Sequence, residues 1–429
     1  MAPRSIGTTV LTLAAAMALT LSGGPAGASV QHPAVVSAVP AAATPHAPDT
    51  GGVNDDVRSY VQVGNVMYAG GRIGDVQNPK RTLTYPRHNL FAFDVRDGSI
   101  LPFAPVFDGP VWTIVPAPDG TLIVGGEFTT VNGVARRGLV KLDATSGALV
   151  TTFNPPGITR GGVFDAQVVA GRLIVAGSFA KHLVALNPAS GADTGYLKLT
   201  VSGTVADNAG LTKVFRFAVD PAGTRLVGTG NFTSVGGLPR RQAFMAVLGS
   251  TSVTMSTWYD VNLDKQCSAA SHPMYLQDVD FAPDGTVFGF AATGYVPKTG
   301  DLGRSICDAA ALYDAASTSG ASRPKWINYT GGDTLLSIAI TGAAVYVGGH
   351  QRWLDNTNGR DSAGPGAKSR PGIGAIDLRT GKALDWNPGK TLGVGTQVLY
   401  ATPAGLWVGS DGRLFAGKIH DAIAFCPLP

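Results

Sequence analysis

The sequence predicts an all-β fold of many short strands set out as seven repeats. Turn formers are abundant, with 57 Gly and 28 Pro in 429 residues, and charged residues make up only 14%. Few stretches show helical periodicity. One order of parts also recurs: an apolar run that closes on a glycine, at Gly71, Gly126, Gly177, Gly230, Gly289, Gly349 and Gly409. These marks lie roughly 50 to 60 residues apart, a period that signals a repeat architecture. With about four strands per unit, the fold class is a seven-bladed β-propeller with four-stranded blades. One such sheet cannot bury both faces alone. Packed around an axis, neighbours cover each other, so the whole array is the folding unit.

Taken in order, residues 1–28 read as a secretory signal peptide: basic Arg4, an apolar stretch over 10–21, and the small-residue site Ala26-Gly27-Ala28. That stretch is too short to span a bilayer, and no later one is long enough. Residues 29–52 are rich in Ala, Pro, Ser and Thr and almost uncharged, which predicts a flexible, disordered leader. Its removal is expected to leave a folded protein. The repeats occupy 53–429. The expected product is a secreted, extracellular monomer with no membrane insertion.

Within a unit, a first strand leads through a tight turn such as Pro118-Asp119-Gly120 to a second strand that ends in glycine. A third strand follows a polar loop. The turn after it opens on Asp or Asn and closes on Gly, as in Asp143 to Gly147, because the carboxylate caps backbone N–H groups and the glycine supplies positive φ. The fourth strand ends on a large aromatic: Phe103, Phe153, Trp258, Trp326 or Trp386. The last unit is short. Two short C-terminal strands could close the ring, or a strand from residues 30–50 could do so.

The wording GGEFTTVNGVARRGLVKLDATSGALVTTFNP closely resembles the delta-60 repeat, a bacterial β-propeller repeat family, and NFTSVGGLPRR and AIDLRTGKALDWNP look like the same family. The resemblance covers most of 53–429 and implies the propeller architecture. The family is functionally mixed and brings no catalytic residues.

A meander places the loops between second and third strands, and the links between units, on one face. These loops are long and polar, the usual place for binding on a rigid scaffold. They also carry much of the positive charge: Arg72, Arg81, Arg87, Arg136, Arg137, Arg240, Arg241, Arg352, Arg360 and Arg370. A basic face attracts an anionic glycan or cell-wall polymer, or another exported protein. The alternative is that pairs such as Arg136-Arg137 and Arg240-Arg241 are encoded by the repeat and hold neighbouring loops. Trp353 either stacks on a sugar ring or packs under its own loop. Nucleic acid is not expected, because the net charge is only +4 and the chain is exported.

No HExxH, GxSxG, Walker or EF-hand pattern occurs, and the seven histidines are scattered. Neither metal nor cofactor is expected. The function reading is a binding or scaffold module. The alternative is a carbohydrate-active hydrolase or lyase at the mouth of the axial channel. Of the three cysteines, Cys267 precedes the fifth unit and Cys307 ends its polar loop, so both fall on the loop face of one unit. They are expected to form a disulfide, with Cys426 unpaired.

Overall fold

The computed structural model describes residues 30–49, 55–205, 210–317 and 322–429. The signal-peptide reading of 1–28 lies outside them. Seven antiparallel meander sheets follow one another along the described chain. Sheet 1 is Asp56–Val63, Val66–Arg72 and Leu90–Asp94; sheet 2 is Val111–Pro116, Leu122–Gly126 and Leu139–Leu142; sheet 3 is Val163–Val169, Arg172–Gly177 and Leu183–Leu186. Sheet 4 has four strands, Lys213–Val219, Arg225–Asn231, Ala243–Leu248 and Val253–Met255, as does sheet 5, with Leu276–Phe281, Val287–Ala292, Ala309–Asp314 and Trp326–Tyr329. Sheet 6 is Leu335–Ile340, Val345–Gly349 and Ile373–Ile376, and sheet 7 is Thr396–Thr402, Gly405–Ser410 and Ile423–Pro427. In sheets 1, 2, 3 and 6 the fourth strand is reduced to a single bridge: Phe93 with Ile100, Leu142 with Leu149, Leu186 with Asp193 and Ile376 with Ala383. Trp326 opens the fourth strand of sheet 5 rather than ending it.

The first strands neighbour one another in chain order, and Thr396–Thr402 neighbours Asp56–Val63. Aromatic packing fills the seams. Between sheets 4 and 5, Trp258 meets Phe288 and Tyr313 edge-on at 5.4 and 5.6 Å. Between sheets 7 and 1, Trp407 meets Phe93 at 5.3 Å. Polar stitches join the inner strands as well. Asp165 accepts from Phe217 N, Asp278 from Ile338 N and Asp280 from Ile340 N, at 2.7–3.0 Å. The result is an all-β, propeller-like fold.

The glycine that closes the second strand has a physical cause. Every first strand carries a β-bulge near its start, and the bulge pushes the preceding carbonyl against the second strand. A Cβ at Gly71 would sit 1.9 Å from Asp56 O, and one at Gly126 would sit 2.1 Å from Pro110 O, so no other residue fits without a shift. Register puts Gly177, Gly230 and Gly349 at the same place. In sheet 5 the place belongs to Ala292, three residues beyond the expected Gly289, and in sheet 7 to Ser410.

Residues 30–49 correct the expectation of a disordered leader. They form a strap along the outside of sheet 7. His32 N donates to Thr341 O, Ser37 N to Pro427 O, Ala41 N to Phe425 O and Ala47 N to Asp421 O, at 2.7–2.9 Å. His46 and Gln77 exchange both backbone bonds. Val36 and Ala47 are buried in the cores on either side of the sheet. Sheet 7 therefore has three strands of its own, and the strap takes the outer position. The short pair Leu414–Phe415 and Lys418–Ile419, expected to help close the ring, instead forms the hairpin of its polar loop.

Candidate functional site: the mouth on the hairpin face

The bulges decide what faces the middle of the molecule. Each leaves one residue unpaired, and these are Arg58, Trp112, Phe164, Phe215, Gln277, Leu336 and Gln397. A bulge re-aims its side chain, and here the side chains meet across sheet borders. Arg58 from sheet 1 lies over the Trp112 ring of sheet 2 at 4.8 Å, and Arg72 lies over it at 5.3 Å. Trp112 Nε1 donates to Glu127. Lys213 Nζ sits 5.6 Å from the Phe164 ring and 4.9 Å from Phe215. Phe215 meets Tyr275 edge-on at 6.1 Å. Sheets 1 to 5 thus supply an arc of aromatic rings interleaved with cations. Across from it, Leu336 lines a cavity of about 580 Å³ with Thr334, His350, Val394, Asp411 and Asp49.

One residue deeper stands Arg216. Its Nη1 reaches Phe164 O and, two sheets away, Trp112 O at 3.4 Å. Asp165 and Asp278 stand on the neighbouring first strands. Burial pushes their carboxyls up, to about 7 and about 6, against the pull of the Arg216 charge. Both oxygens of each already accept backbone N–H groups, Ala166 and Phe217 for Asp165, Val279 and Ile338 for Asp278. The pair joins sheets.

Sequence reasoning missed this mouth, although a signal was present. Aligning the units on the start of the first strand, rather than on the glycine, brings all seven bulged residues into one column.

The arginines named from sequence divide into two sets. Arg87, Arg240 and Arg370 are buried and hold structure, which removes them as ligand contacts. Each follows the second strand of a loop hairpin and donates Nη1 to the carbonyl just before it, Pro86, Pro239 or Ser369. Nη2 then ties the hairpin to the outer strand, at Leu101 O, Ser256 O or Leu384 O, 2.6–3.1 Å away. Arg136 makes the first of these bonds, to Ala135 O. His420 takes the position in sheet 7 and meets the strap at Thr44 Oγ1, 3.0 Å away; burial presses its imidazole down to about 4. Arg241 donates to Val205 O. Arg352 pairs with Asp333 at 2.8 Å and covers the face of Trp353 at 4.4 Å, so that indole is packed. Arg72, Arg81, Arg137 and Arg360 remain exposed, with no ion pair among the described residues. They are spread over three loops.

Asp308 lies beside this Arg352 corner. It is 1% exposed, its Oδ2 has no hydrogen-bond partner, and burial plus the charges of Asp333 and Asp361 push its carboxyl up to about 8. A carboxyl raised in the folded state binds its proton more tightly there. Its contribution to stability is complete below the unfolded value near 4 and is lost as pH rises through about 8. Asp165 and Asp278 act in the same direction, so the difference between wild type and Asp308→Asn isolates this group. The variant is expected to gain about 3 °C or more over wild type at pH 8.5, with a smaller gain at pH 5. Parallel melting curves from pH 5 to 8.5 would remove the assignment.

Cys267 and Cys307 are bonded, as the sequence led one to expect, with Cα atoms 5.7 Å apart. Among the described residues, no group of three or more His, Cys, Asp or Glu could hold a metal ion, and no helix is long and apolar enough to cross a membrane.

Residues 117–153 match the model of a family described as a β-propeller domain of unknown function, DUF5122. No curated protein matches the chain. Among solved structures, the computationally designed Ika8 protein is similar with a TM-score of 0.46 at 10% identity, covering 89% of this chain and 99% of that one. The WD40 β-propeller domain of Doa1 gives 0.45 at 12% identity, covering 89% and 95%. The β-propeller domain of Myceliophteria thermophila Cps50 (Swd1) gives 0.42 at 8% identity, covering 68% and 79%.

Proposed function

We propose that the chain is an exported seven-bladed β-propeller of the delta-60 repeat type that serves as a binding or scaffold module. Its partner is an anionic surface polymer or another exported protein, engaged on the face that carries the loop hairpins. One observation carries this reading. On that face the repeat-encoded arginines are used up on backbone carbonyls, while Arg72, Arg81, Arg137 and Arg360 stay exposed without ion pairs. The disulfide and the lack of a long apolar helix in the described residues are compatible with export. Binding is favoured over hydrolysis because the two central carboxylates are committed to backbone N–H groups.

The test is retention of the purified chain on anionic wall polysaccharide. Retention should fall steeply with salt, since exposed charges are screened over about 8 Å at physiological ionic strength. Replacing Arg72, Arg81, Arg137 and Arg360 together by Ala should weaken it with little change in melting temperature. Arg370→Ala should instead lower the melting temperature, because it frees a hairpin. Retention indifferent to salt, or no retention at all, counts against the module.

A further inference from the structure

We propose that the mouth is an anion subsite for a sugar residue: Arg216 and Lys213 receive a carboxylate or phosphate, and Phe164, Phe215 and Tyr275 lie beside the ring. This rests on the binding-module reading and names its ligand.

The floor of the mouth offers donors with nothing to receive them. A guanidinium has five N–H groups. Arg216 gives Nη1 to Phe164 O and Trp112 O, carbonyls of bulged residues, while Nε and Nη2 have no protein acceptor among the described residues. Asp165 and Asp278 are near enough to feel its charge, yet neither forms an ion pair with it, since their oxygens are turned to backbone N–H groups. Lys213 has two aromatic faces and no carboxylate. An anion entering between them finds two cations whose charge no direct ion pair answers, in surroundings of low dielectric. The walls select the rest of the ligand. Phe164, Phe215 and Tyr275 are only partly buried, and Gln277 beside them has no partner for its amide among the described residues. Flat apolar faces next to amide and cation suit the C–H face, hydroxyls and acid group of a charged sugar.

The other charged groups facing this space are Arg58 with its partner Asp56, Arg72 over Trp112, Glu127 on the indole N–H, Asp280 on Ile340 N, and Arg241, which donates to Val205 O and whose charge reaches Tyr275. As pH falls from 8 to 6, Asp165 and Asp278 take up protons and stop countering Arg216. Affinity for an anion should therefore rise over that interval.

Isothermal titration of the full mature chain tests this with trigalacturonate, glucose 6-phosphate, neutral maltotriose, inorganic phosphate and an oligoglutamate peptide. Trigalacturonate and glucose 6-phosphate separate the carboxylate source from the phosphate source, and binding of either supports the site. Lys213→Ala and Phe215→Ala should each weaken that binding about tenfold while melting temperatures hold. Trigalacturonate, ionised throughout, should bind more tightly at pH 6 than at pH 8. Maltotriose should not bind. Inorganic phosphate binding as tightly as the charged sugars, or oligoglutamate binding where they do not, overturns the proposal. So does unchanged affinity in Lys213→Ala. Wall retention that is lost in the four-arginine variant but intact in Lys213→Ala, with neither trigalacturonate nor glucose 6-phosphate bound, sinks the subsite and leaves the module standing. Trigalacturonate binding without any wall retention does the reverse.

Discussion

Deleting residues 30–49 is expected to lower the melting temperature by about 10 °C or more. The strap lies along the outer edge of sheet 7, and its loss leaves Phe425 O and Pro427 O without their donors. Val36 leaves a core it shares with Tyr346 and Trp386, and Ala47 leaves one shared with Trp407 and Phe91. Tyr346 loses the amide of Val36, and His420, buried under Thr44, meets water. The same segment joins sheets 6, 7 and 1 through Thr341, Thr402 and Gln77, so the damage falls on the seam between the two ends of the chain. In a repeat array each sheet depends on its neighbours, so an open seam weakens the whole. A finer variant separates strand pairing from bulk: Ala41→Pro removes one donor to Phe425 O and should cost part of the loss. Differential scanning calorimetry of the three proteins decides the matter. A deleted chain that melts with wild type would mean the strap adds no stability to sheet 7.

What could be read from the sequence, and what could not, follows from how each feature is held. The glycine marks were legible because a bulge carbonyl forbids a side chain at Gly71 and Gly126, which leaves a trace in the residue type. The trace fails at Ala292 and Ser410, and there the repeat was placed one to three residues off. The strap was illegible because it is held mostly by backbone N–H groups of Ser37, Ala41 and Ala47, which need no apolar alternation. The arginines misled for a related reason. Arg240 reads as surface charge, yet its donors end on the carbonyls of Pro239 and Ser256. The mouth residues share a position and not a residue type, so Trp112 and Gln277 look unrelated until the bulges align them.

Removing the Cys267–Cys307 bond should lower stability by roughly 3 to 4 kcal/mol, the entropic cost of leaving a loop of this size open in the unfolded chain. The bond closes 40 residues of sequence. Those residues include the first two strands of sheet 5 and the loop that follows, where Thr293 to Asp308 has few regular pairings to hold it. Cys267 lies opposite Pro297 in an antiparallel bridge in which Ser268 N donates to Val296 O, and Lys265 pairs with Asp301, so the bond ties the incoming link to this loop at its base. Gly294 fits there because a Cβ would come within 2.5 Å of Cys267 Sγ. Both cysteines are buried in the same core as Met274 and Ile306. Cys426 lies elsewhere, on the last strand opposite Leu406, and burial pushes its thiol up to about 12, so it is a poor nucleophile for exchange. Non-reducing peptide mapping should recover 267 linked to 307, with Cys426 alkylated only after unfolding. The paired substitution Cys267→Ser and Cys307→Ser should shift the denaturant midpoint and leave sheets 1 to 3 protected in hydrogen exchange. An unchanged midpoint, or any peptide joining Cys426 to the other two, would show that the loop is held by something other than this bond.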